Sequence, residues 1–331
     1  MDRWEDKRMN RFLPSARFVP LMATTLVLLA LFSFAATRYP GFASMRVVAN
    51  LFRDNAFLGV TAVGMTFVIL SGGIDLSVGG VLAFTTILIA TLVGQGWHPL
   101  AAITLALTLG VLFGSLMGLL IHRYELPPFL VTLGGMFFAR GMAFMINAES
   151  VGISHDFYDR VLEFGITVGP KARLTAIALL WLTVVLAAVF LAHWTAFGRN
   201  VYALGGNEQS ALLMGLPVGW TRVAVYALNG FCSALAGTVA TLYMGSGNPA
   251  MGVALELDAI AAVVIGGTLL TGGSGFVAGT LVGVLILGTI QTVILFDGRL
   301  NSWWMRIAIG VLLLAFILLQ RLLSRMTGGR R

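Results

Sequence analysis

The stretch that decides the fold reads Ala56-Phe-Leu-Gly-Val-Thr-Ala-Val-Gly-Met-Thr-Phe-Val-Ile-Leu70 and continues as Ser71-Gly-Gly-Ile-Asp-Leu-Ser-Val-Gly79. Its first part carries no charged residue. It belongs to an apolar segment, residues 47–71, that reaches the roughly 20 residues a helix needs to cross the hydrocarbon core of a bilayer. Two consecutive glycines and one carboxylate, Asp75, then separate this segment from the next apolar run. The stretch therefore predicts a membrane helix that ends in a short glycine-rich break.

The composition of the whole chain points the same way. Its 331 residues are 58% hydrophobic and only 11% charged, and the mean hydropathy is +0.92. A soluble domain carries about 25% charged residues, so lipid must cover the outside of this chain. We predict an all-α polytopic membrane protein with about ten transmembrane helices and short glycine-rich re-entrant breaks. The apolar segments cover residues 18–36, 47–71, 78–93, 99–121, 128–146, 174–192, 223–244, 257–270, 276–295 and 303–319.

Lysine and arginine residues beside these segments predict the orientation, because cytoplasmic loops carry an excess of both. With ten crossings and the N-terminus inside, the inner side would hold Arg3, Lys7, Arg8, Arg11, Arg17, Arg123, Arg199, Arg222, Arg321, Arg325, Arg330 and Arg331. The outer side would hold Arg38, Arg46, Arg53, Arg160, Lys171, Arg173 and Arg299. We therefore predict both termini in the cytoplasm, with basic tails at residues 1–17 and 320–331. This placement explains the net charge of +7 better than nucleic-acid binding does.

Two glycine-rich stretches resemble each other. Gly64-Met-Thr-Phe-Val-Ile-Leu-Ser-Gly-Gly73 is similar to Gly266-Gly-Thr-Leu-Leu-Thr-Gly-Gly-Ser-Gly275, and each joins one apolar segment to the next. Repeated halves with broken helices are common in transporter folds. Glycine-rich apolar sequence can also resemble itself by chance, and the sequence leaves both explanations open.

Asp75 lies in the first of these stretches. A carboxylate at membrane depth costs roughly 2.5–3.5 kcal/mol on insertion scales, so we expect it at an interface, in a water-filled cavity or at a helix N-terminus. The spacing favours Asp75 or Ser77 as the cap of a helix that starts near Val78. A structural cap and a turn that lines a permeation route both fit this pattern.

The inner loop, residues 193–222, predicts a short helix. Asn207 is a good N-cap, Glu208 places negative charge in the first turn, and Gly215 followed by Pro217 is a stop signal. The resulting helix of about two turns is too short to be stable alone in water. It must dock on a partner or pack on its own membrane domain, and the residues alone do not choose between these.

The sequence lacks the residues of an enzyme or a metal site. The only lysines, Lys7 and Lys171, do not belong to a phosphate-binding GxxxxGK[ST] loop, and the single cysteine, Cys232, lies in an apolar run. No nucleophile–base pair accompanies them. We predict no cofactor and no catalytic activity. The four histidines are expected to lie far apart at segment ends; they are His98, His122, His155 and His193.

Several motifs together resemble the permease subunits of ribose/galactose-type ABC sugar importers. They are Gly72-Gly-Ile-Asp-Leu-Ser-Val-Gly79, Ala203-Leu-Gly-Gly-Asn207 with Ala211 and Gly215, and Gly266-Gly-Thr268 with Gly272-Gly273. The similarity extends over nearly the whole chain and is greatest to galactofuranose permeases. It includes Tyr39-Pro-Gly-Phe-Ala43, Asp54-Asn-Ala-Phe-Leu58, Glu256-Leu-Asp-Ala-Ile260 and Ser302-Trp-Trp304. Ser210 and Leu216 depart from the common pattern, where many relatives carry Ala and Ile.

The resemblance implies one transmembrane permease domain, residues 1–331, in a bacterial inner membrane, importing a monosaccharide such as galactofuranose. It implies a separate ATPase subunit, a second homologous permease and a periplasmic sugar-binding protein. Residues 193–222 would be the cytoplasmic coupling loop. Its helix would rest on the ATPase through Gly205, Gly206, Asn207, Ala211 and Gly215.

A sugar route needs hydroxyl-bonding groups and aromatic faces in an apolar wall. The candidates are Asn55, Phe57, Asp75, Ser77, Asn229 and Gln291. Thr61, Thr66 and Thr132 are further candidates, although Thr and Asn residues within spans often serve to pack membrane helices together. Arg140 lies within a span, where a pore or interface role and snorkelling to the outer surface are both open. An ion-coupled secondary transporter that uses Asp75 as its ion or proton site is the alternative function.

Overall fold

The structure, a computed structural model, describes residues 19–169, 172–299 and 303–328. The basic tail predicted at 1–17, Lys171 and the last residues of the tail predicted at 320–331 lie outside the described residues. The helices are α1 (Val19–Arg38), α2 (Met45–Asp54), α3 (Ala56–Leu70), α4 (Val78–Gly94), α5 (Pro99–Arg123), α6 (Pro128–Ile146), α7 (Asp156–Glu163), α8 (Ala176–Trp194), α9 (Ala196–Gly206), α10 (Glu208–Leu213), α11 (Val218–Met244), α12 (Leu255–Ile265), α13 (Val277–Asp297) and α14 (Trp303–Gly328). The strands are β1 (Val151–Gly152), β2 (Gly165–Gly169), β3 (Ala172–Thr175) and β4 (Ser246–Gly247).

Each of the ten predicted apolar segments contains a helix, so the helical fold class is confirmed. By length and apolar composition, six helices of the described part can each cross a membrane: α1, α5, α6, α8, α11 and α13. The pair α2–α3, which bends by 57° at Asn55, would make a seventh. Helices α4 and α12 have only 17 and 11 residues because each adjoins a glycine-rich connection.

These connections are defined here as the first break, residues 71–77 between α3 and α4, and the second break, residues 266–276 between α12 and α13. Gly72 has a φ of +82°, and Gly267, Gly272 and Gly273 also have positive φ angles. Only glycine adopts this conformation without steric strain. Of the two stretches that resemble each other in sequence, residues 64–73 form the end of α3 and the start of the first break, whereas residues 266–275 lie wholly within the second break.

Helix α11 lies at the centre of the fold and packs most extensively on α5, α3 and α4. Glycines spaced four residues apart on α5 allow the close approach. A Cβ atom at Gly110 would lie 2.7 Å from the Gly230 carbonyl oxygen, and one at Gly118 would lie 2.8 Å from the Cα of Val223. A small residue every fourth position is a common way to bring membrane helices together. Large apolar side chains such as Phe137 and Phe138 on α6 are exposed, as expected where lipid covers the protein.

The segment between α6 and α8 contains the short helix α7. In α7, Tyr158 is buried, burial raises the pKa of its hydroxyl, and that hydroxyl is 2.9 Å from Thr241 Oγ1. Two small antiparallel pairs, β1–β4 and β2–β3, were not predicted. The prediction that the histidines lie far apart is wrong for two of them. The rings of His98 and His155 are 5.6 Å apart, because the start of α7 folds back on the start of α5.

Candidate functional site

Three of the predicted route residues form one buried cluster. Asp75 is 1% exposed, and its Oδ1 accepts hydrogen bonds from the Ser77 backbone N–H at 2.8 Å and from Ser77 Oγ at 2.7 Å. Its Oδ2 accepts a third from Asn229 Nδ2 at 2.8 Å. Asp75, rather than Ser77, accepts the backbone hydrogen bond before α4, and the cluster joins the first break to α11.

The hydrogen bonds that Asp75 accepts all come from neutral donors. The three ion pairs found among the described residues are Arg53–Asp54, Arg222–Glu208 and Arg306–Asp258, so none of them includes Asp75. A buried carboxylate is tolerated when hydrogen bonds replace its water. One polar atom of the cluster, Asn229 Oδ1, is buried without a hydrogen-bond partner.

The other predicted route residues lie elsewhere. Asn55 is buried at the bend between α2 and α3, where its Nδ2 donates to the Leu51 carbonyl at 2.9 Å. Phe57 packs at a tilt against the Tyr243 ring, with 6.3 Å between the centroids. Gln291 is exposed on α13. Asp75, Ser77 and Asn229 therefore lie together, whereas Asn55, Phe57 and Gln291 do not belong to their cluster.

The threonines join helices or bond their own helix. Thr66 Oγ1 is 2.7 Å from Thr280 Oγ1, which links α3 to α13. Thr61 and Thr132 donate to backbone carbonyls one turn earlier, at 2.9 Å each. The Thr66–Thr280 contact is one of packing between helices, whereas the two 2.9 Å bonds stay within their own helices.

Arg140 has partners that neither reading of the sequence anticipated. Its guanidinium donates to the carbonyl of Pro249 at 3.0 Å and to the carbonyl of Met251. The segment it holds connects β4 to α12 and includes Gly252 and Ala254 at positive φ. Left-handed backbone is unfavourable for alanine. Arg140 therefore fixes a strained connection, and no sequence pattern marks that pairing.

We expect Arg140→Met to destabilise the protein by about 2–4 kcal/mol, because two carbonyls lose a charged donor while the stem of the side chain is kept. The measurement is the midpoint of thermal unfolding in detergent, which should fall by several degrees. Arg123→Met, at the exposed end of α5, is the matched control and should leave the midpoint unchanged. Equal midpoints for the two variants would contradict the anchoring role.

The loop 193–222 is more helical than predicted. Helix α9 was not foreseen, whereas α10 begins where expected: Asn207 Oδ1 accepts a hydrogen bond from the Ser210 N–H at 2.7 Å. The helix ends before Gly215, whose φ is +74°. Ala211 is fully buried against Leu204 and Val218. Local capping signals therefore located this helix correctly.

One face of α10 is apolar and exposed. Leu213 is 89% exposed, and Leu212 and Met214 are exposed beside it. The base of the same helix is held by an ion pair of 2.6 Å between Glu208 and Arg222. Helix α10 is thus fixed to the membrane domain on one side and presents an uncovered apolar surface on the other.

A cavity of about 580 Å³ opens between the first break, the α5–α6 connection and α10. Its walls include the side chains of Glu125, Arg222 and Tyr226. Glu125 has a φ of +51°, an uncommon value for a residue other than glycine. Donors and acceptors set among apolar residues suit a small hydroxylated ligand.

Apolar spans, two glycine-rich breaks and a short helix with an uncovered apolar face define a membrane-embedded transport subunit. A family model described as "Branched-chain amino acid transport system / permease component" matches residues 47–317. The chain belongs to this family. No solved structure gives a significant match.

The relatives are transporter permeases. "Inner membrane ABC transporter permease protein YjfF" of Escherichia coli (strain K12) is 51% identical over 95% of this chain and 96% of its own length. "Ribose import permease protein RbsC" of Bacillus subtilis (strain 168) is 39% identical over 85% of this chain and 87% of its own length. "Fructose import permease protein FruG" of Bifidobacterium longum (strain NCC 2705) is 35% identical over 95% of this chain and 94% of its own length. The resemblance to ABC importer permeases is confirmed, and the chain is a multi-pass inner-membrane protein.

Proposed function

We propose that the chain is the permease of an ABC importer that carries a monosaccharide inward, with galactofuranose as the first candidate. The observation that carries this proposal is the family match together with two relatives named as ribose and fructose import permeases. The choice of galactofuranose is based on the motifs at residues 39–43, 54–58, 256–260 and 302–304, which resemble those of galactofuranose permeases.

The ten helical segments would alternate in direction, with both termini in the cytoplasm. Contacts support this topology. Near the start of α1, Thr24 donates to the Ile265 carbonyl at 2.9 Å, beside the second break. Just beyond the end of α1, the Tyr39 hydroxyl donates to Asp297, at the far end of α13, at 3.0 Å. The start of α1 and the second break thus share one face, which would be the inner one, and the loop 193–222 contacts both breaks there.

Three partners follow from this assignment. The ATPase subunit would bind the exposed face of α10, a second homologous permease would complete the pore, and a periplasmic binding protein would deliver sugar to the opposite face. ATP binding would displace α10 and open the route alternately outward and inward. The cavity beside Tyr226 would lie at the inner end of that route. The chain itself would hydrolyse no ATP.

The rival function, ion-coupled transport through Asp75, is kept because that carboxylate is buried next to a glycine break. Its hydrogen bonds to Ser77 and Asn229 already occupy both of its oxygens. This arrangement favours a structural role over an ion site.

The test is uptake into proteoliposomes that contain the chain with its co-purified ATPase and second permease. With binding protein outside and ATP inside, we expect uptake of labelled galactofuranose that orthovanadate abolishes and a protonophore leaves unchanged. Ribose and fructose are the matched substrates and should be taken up more slowly. Uptake that a protonophore abolishes and orthovanadate does not affect would overturn the ABC mechanism. Faster uptake of ribose would overturn only the choice of sugar.

A further inference from the structure

Backbone from three separate parts of the chain meets at one point on the face that carries the loop 193–222. The parts are the end of α3 with the first break, the end of α9, and the second break. Their contacting residues are Leu70, Gly72, Gly205, Gly206, Gly272 and Gly273, and we call this set the backbone junction.

The two breaks touch each other directly. The N–H of Gly273 donates to the carbonyl of Leu70 at 2.9 Å. A Cβ atom at Gly272 would lie 2.8 Å from the Gly72 nitrogen. Real Cβ atoms essentially never come within 3.0 Å of another heavy atom in this way. The breaks can therefore come together only because glycine occupies these positions.

The end of α9 fits against both breaks. A Cβ atom at Gly205 would overlap the carbonyl oxygen of Leu70 and lie 2.6 Å from the Gly273 nitrogen. A Cβ atom at Gly273 would lie 2.7 Å from the Gly206 Cα. A second contact reinforces the first, since the Tyr202 hydroxyl of α9 donates to the Gly275 carbonyl at 2.8 Å.

Contacts between backbone atoms leave little room for one segment to move independently of the other. Side chains can change rotamer when a neighbour moves, whereas backbone atoms in contact must move together or separate. Packed interfaces tend to switch between discrete arrangements instead of deforming smoothly. While these contacts persist, a movement of α9 therefore displaces both breaks.

Helix α9 is in turn fixed to α10. Only Asn207 separates the two helices, and Ala211 of α10 is buried against Leu204 of α9. The ion pair between Glu208 and Arg222 adds the start of α11 to the same unit. The exposed apolar face of α10 is thus rigidly connected to the junction.

We propose that the backbone junction carries the movement of α10 to both glycine breaks at once, so that the inner ends of α3, α4, α12 and α13 shift together. Gly205 is its central positioning residue. The proposal rests on the proposed function, in which α10 receives the ATPase.

The test is Gly205→Ala in the full importer, with uptake and ATP hydrolysis measured on the same proteoliposomes. The added methyl should separate α9 from the breaks. We expect assembly and binding-protein-stimulated ATP hydrolysis to persist while sugar imported per ATP falls about tenfold, a loss within the range for residues along a coupling network. Gly134→Ala on α6 is the matched control, because a Cβ atom there meets no atom within 4 Å.

If Gly205→Ala does not assemble, Tyr202→Phe is the variant to test, because it removes only the hydroxyl that donates to the Gly275 carbonyl. Sugar imported per ATP should then fall about threefold. The proposed role of the backbone junction would be overturned if an assembled Gly205→Ala complex imported as much sugar per ATP as the wild type. If Gly205→Ala does not assemble, the same result for Tyr202→Phe would overturn it. This result differs from failure of the proposed function, in which the wild-type complex itself would show no ATP-driven uptake.

Discussion

Asp75→Asn is expected to keep sugar uptake within about twofold of wild type, whereas Asp75→Val is expected to abolish it. In the wild-type protein, the carboxylate accepts three hydrogen bonds, two from Ser77 and one from Asn229. An asparagine at this position keeps an oxygen for both Ser77 donors. Its amide then faces Asn229, whose own oxygen has no partner. A half-turn of the Asn229 amide brings that oxygen opposite the new donor.

Valine has no acceptor to offer. The Ser77 N–H, the Ser77 hydroxyl and the Asn229 amide would lose their partner in a buried site, and each loss costs about 1–3 kcal/mol. The first break would then separate from α11. Ser77→Ala, which removes one of the three hydrogen bonds, should give an intermediate loss of thermal stability.

The measurements are uptake in proteoliposomes and the midpoint of thermal unfolding for each variant. This series separates the two functions proposed for Asp75. An ion or proton site requires the negative charge, so Asp75→Asn would abolish uptake while the protein still assembled with normal stability. That outcome would favour the ion-coupled transporter and contradict the structural role.

The features that the sequence predicted correctly depend on short stretches of chain. The N-cap at Asn207, the helix end at Gly215 and the first break after Leu70 are each encoded within a few residues, since capping and positive φ are local properties. Helix α9 was missed although Phe197, Val201 and Leu204 recur at helical spacing. Its polar residues and closing glycines resembled those of a loop.

The contacts that build the candidate site could not be predicted because they join distant residues. Asp75 and Asn229 are 154 positions apart, and Arg140 and Pro249 are 109 apart. Asn229 is one of several polar residues within spans, and its sequence neighbours do not distinguish it. The backbone junction is harder still, because glycine has no side chain whose chemistry could indicate a partner.

Leu213→Asp, on the exposed face of α10, is expected to weaken binding of the ATPase strongly. Leu213 is 89% exposed, so its replacement should not disturb insertion or the membrane fold. If the face binds the ATPase, burial of this leucine contributes about 1.5–3 kcal/mol, and a charge placed in the interface adds a desolvation cost. We expect the affinity of the isolated ATPase subunit for the permease in nanodiscs to fall by about 10–100-fold.

Leu213→Met is the matched control, because it keeps an apolar side chain of similar volume and should bind the ATPase as the wild type does. Unchanged binding of the ATPase to Leu213→Asp would show that α10 is not its docking helix. The two-turn helix would then be stabilised only by its own membrane domain, through Ala211 and the Glu208–Arg222 ion pair. Loss of binding by Leu213→Asp, with normal binding by Leu213→Met, would instead establish that the exposed apolar face of α10 is the surface on which this permease binds its ATPase.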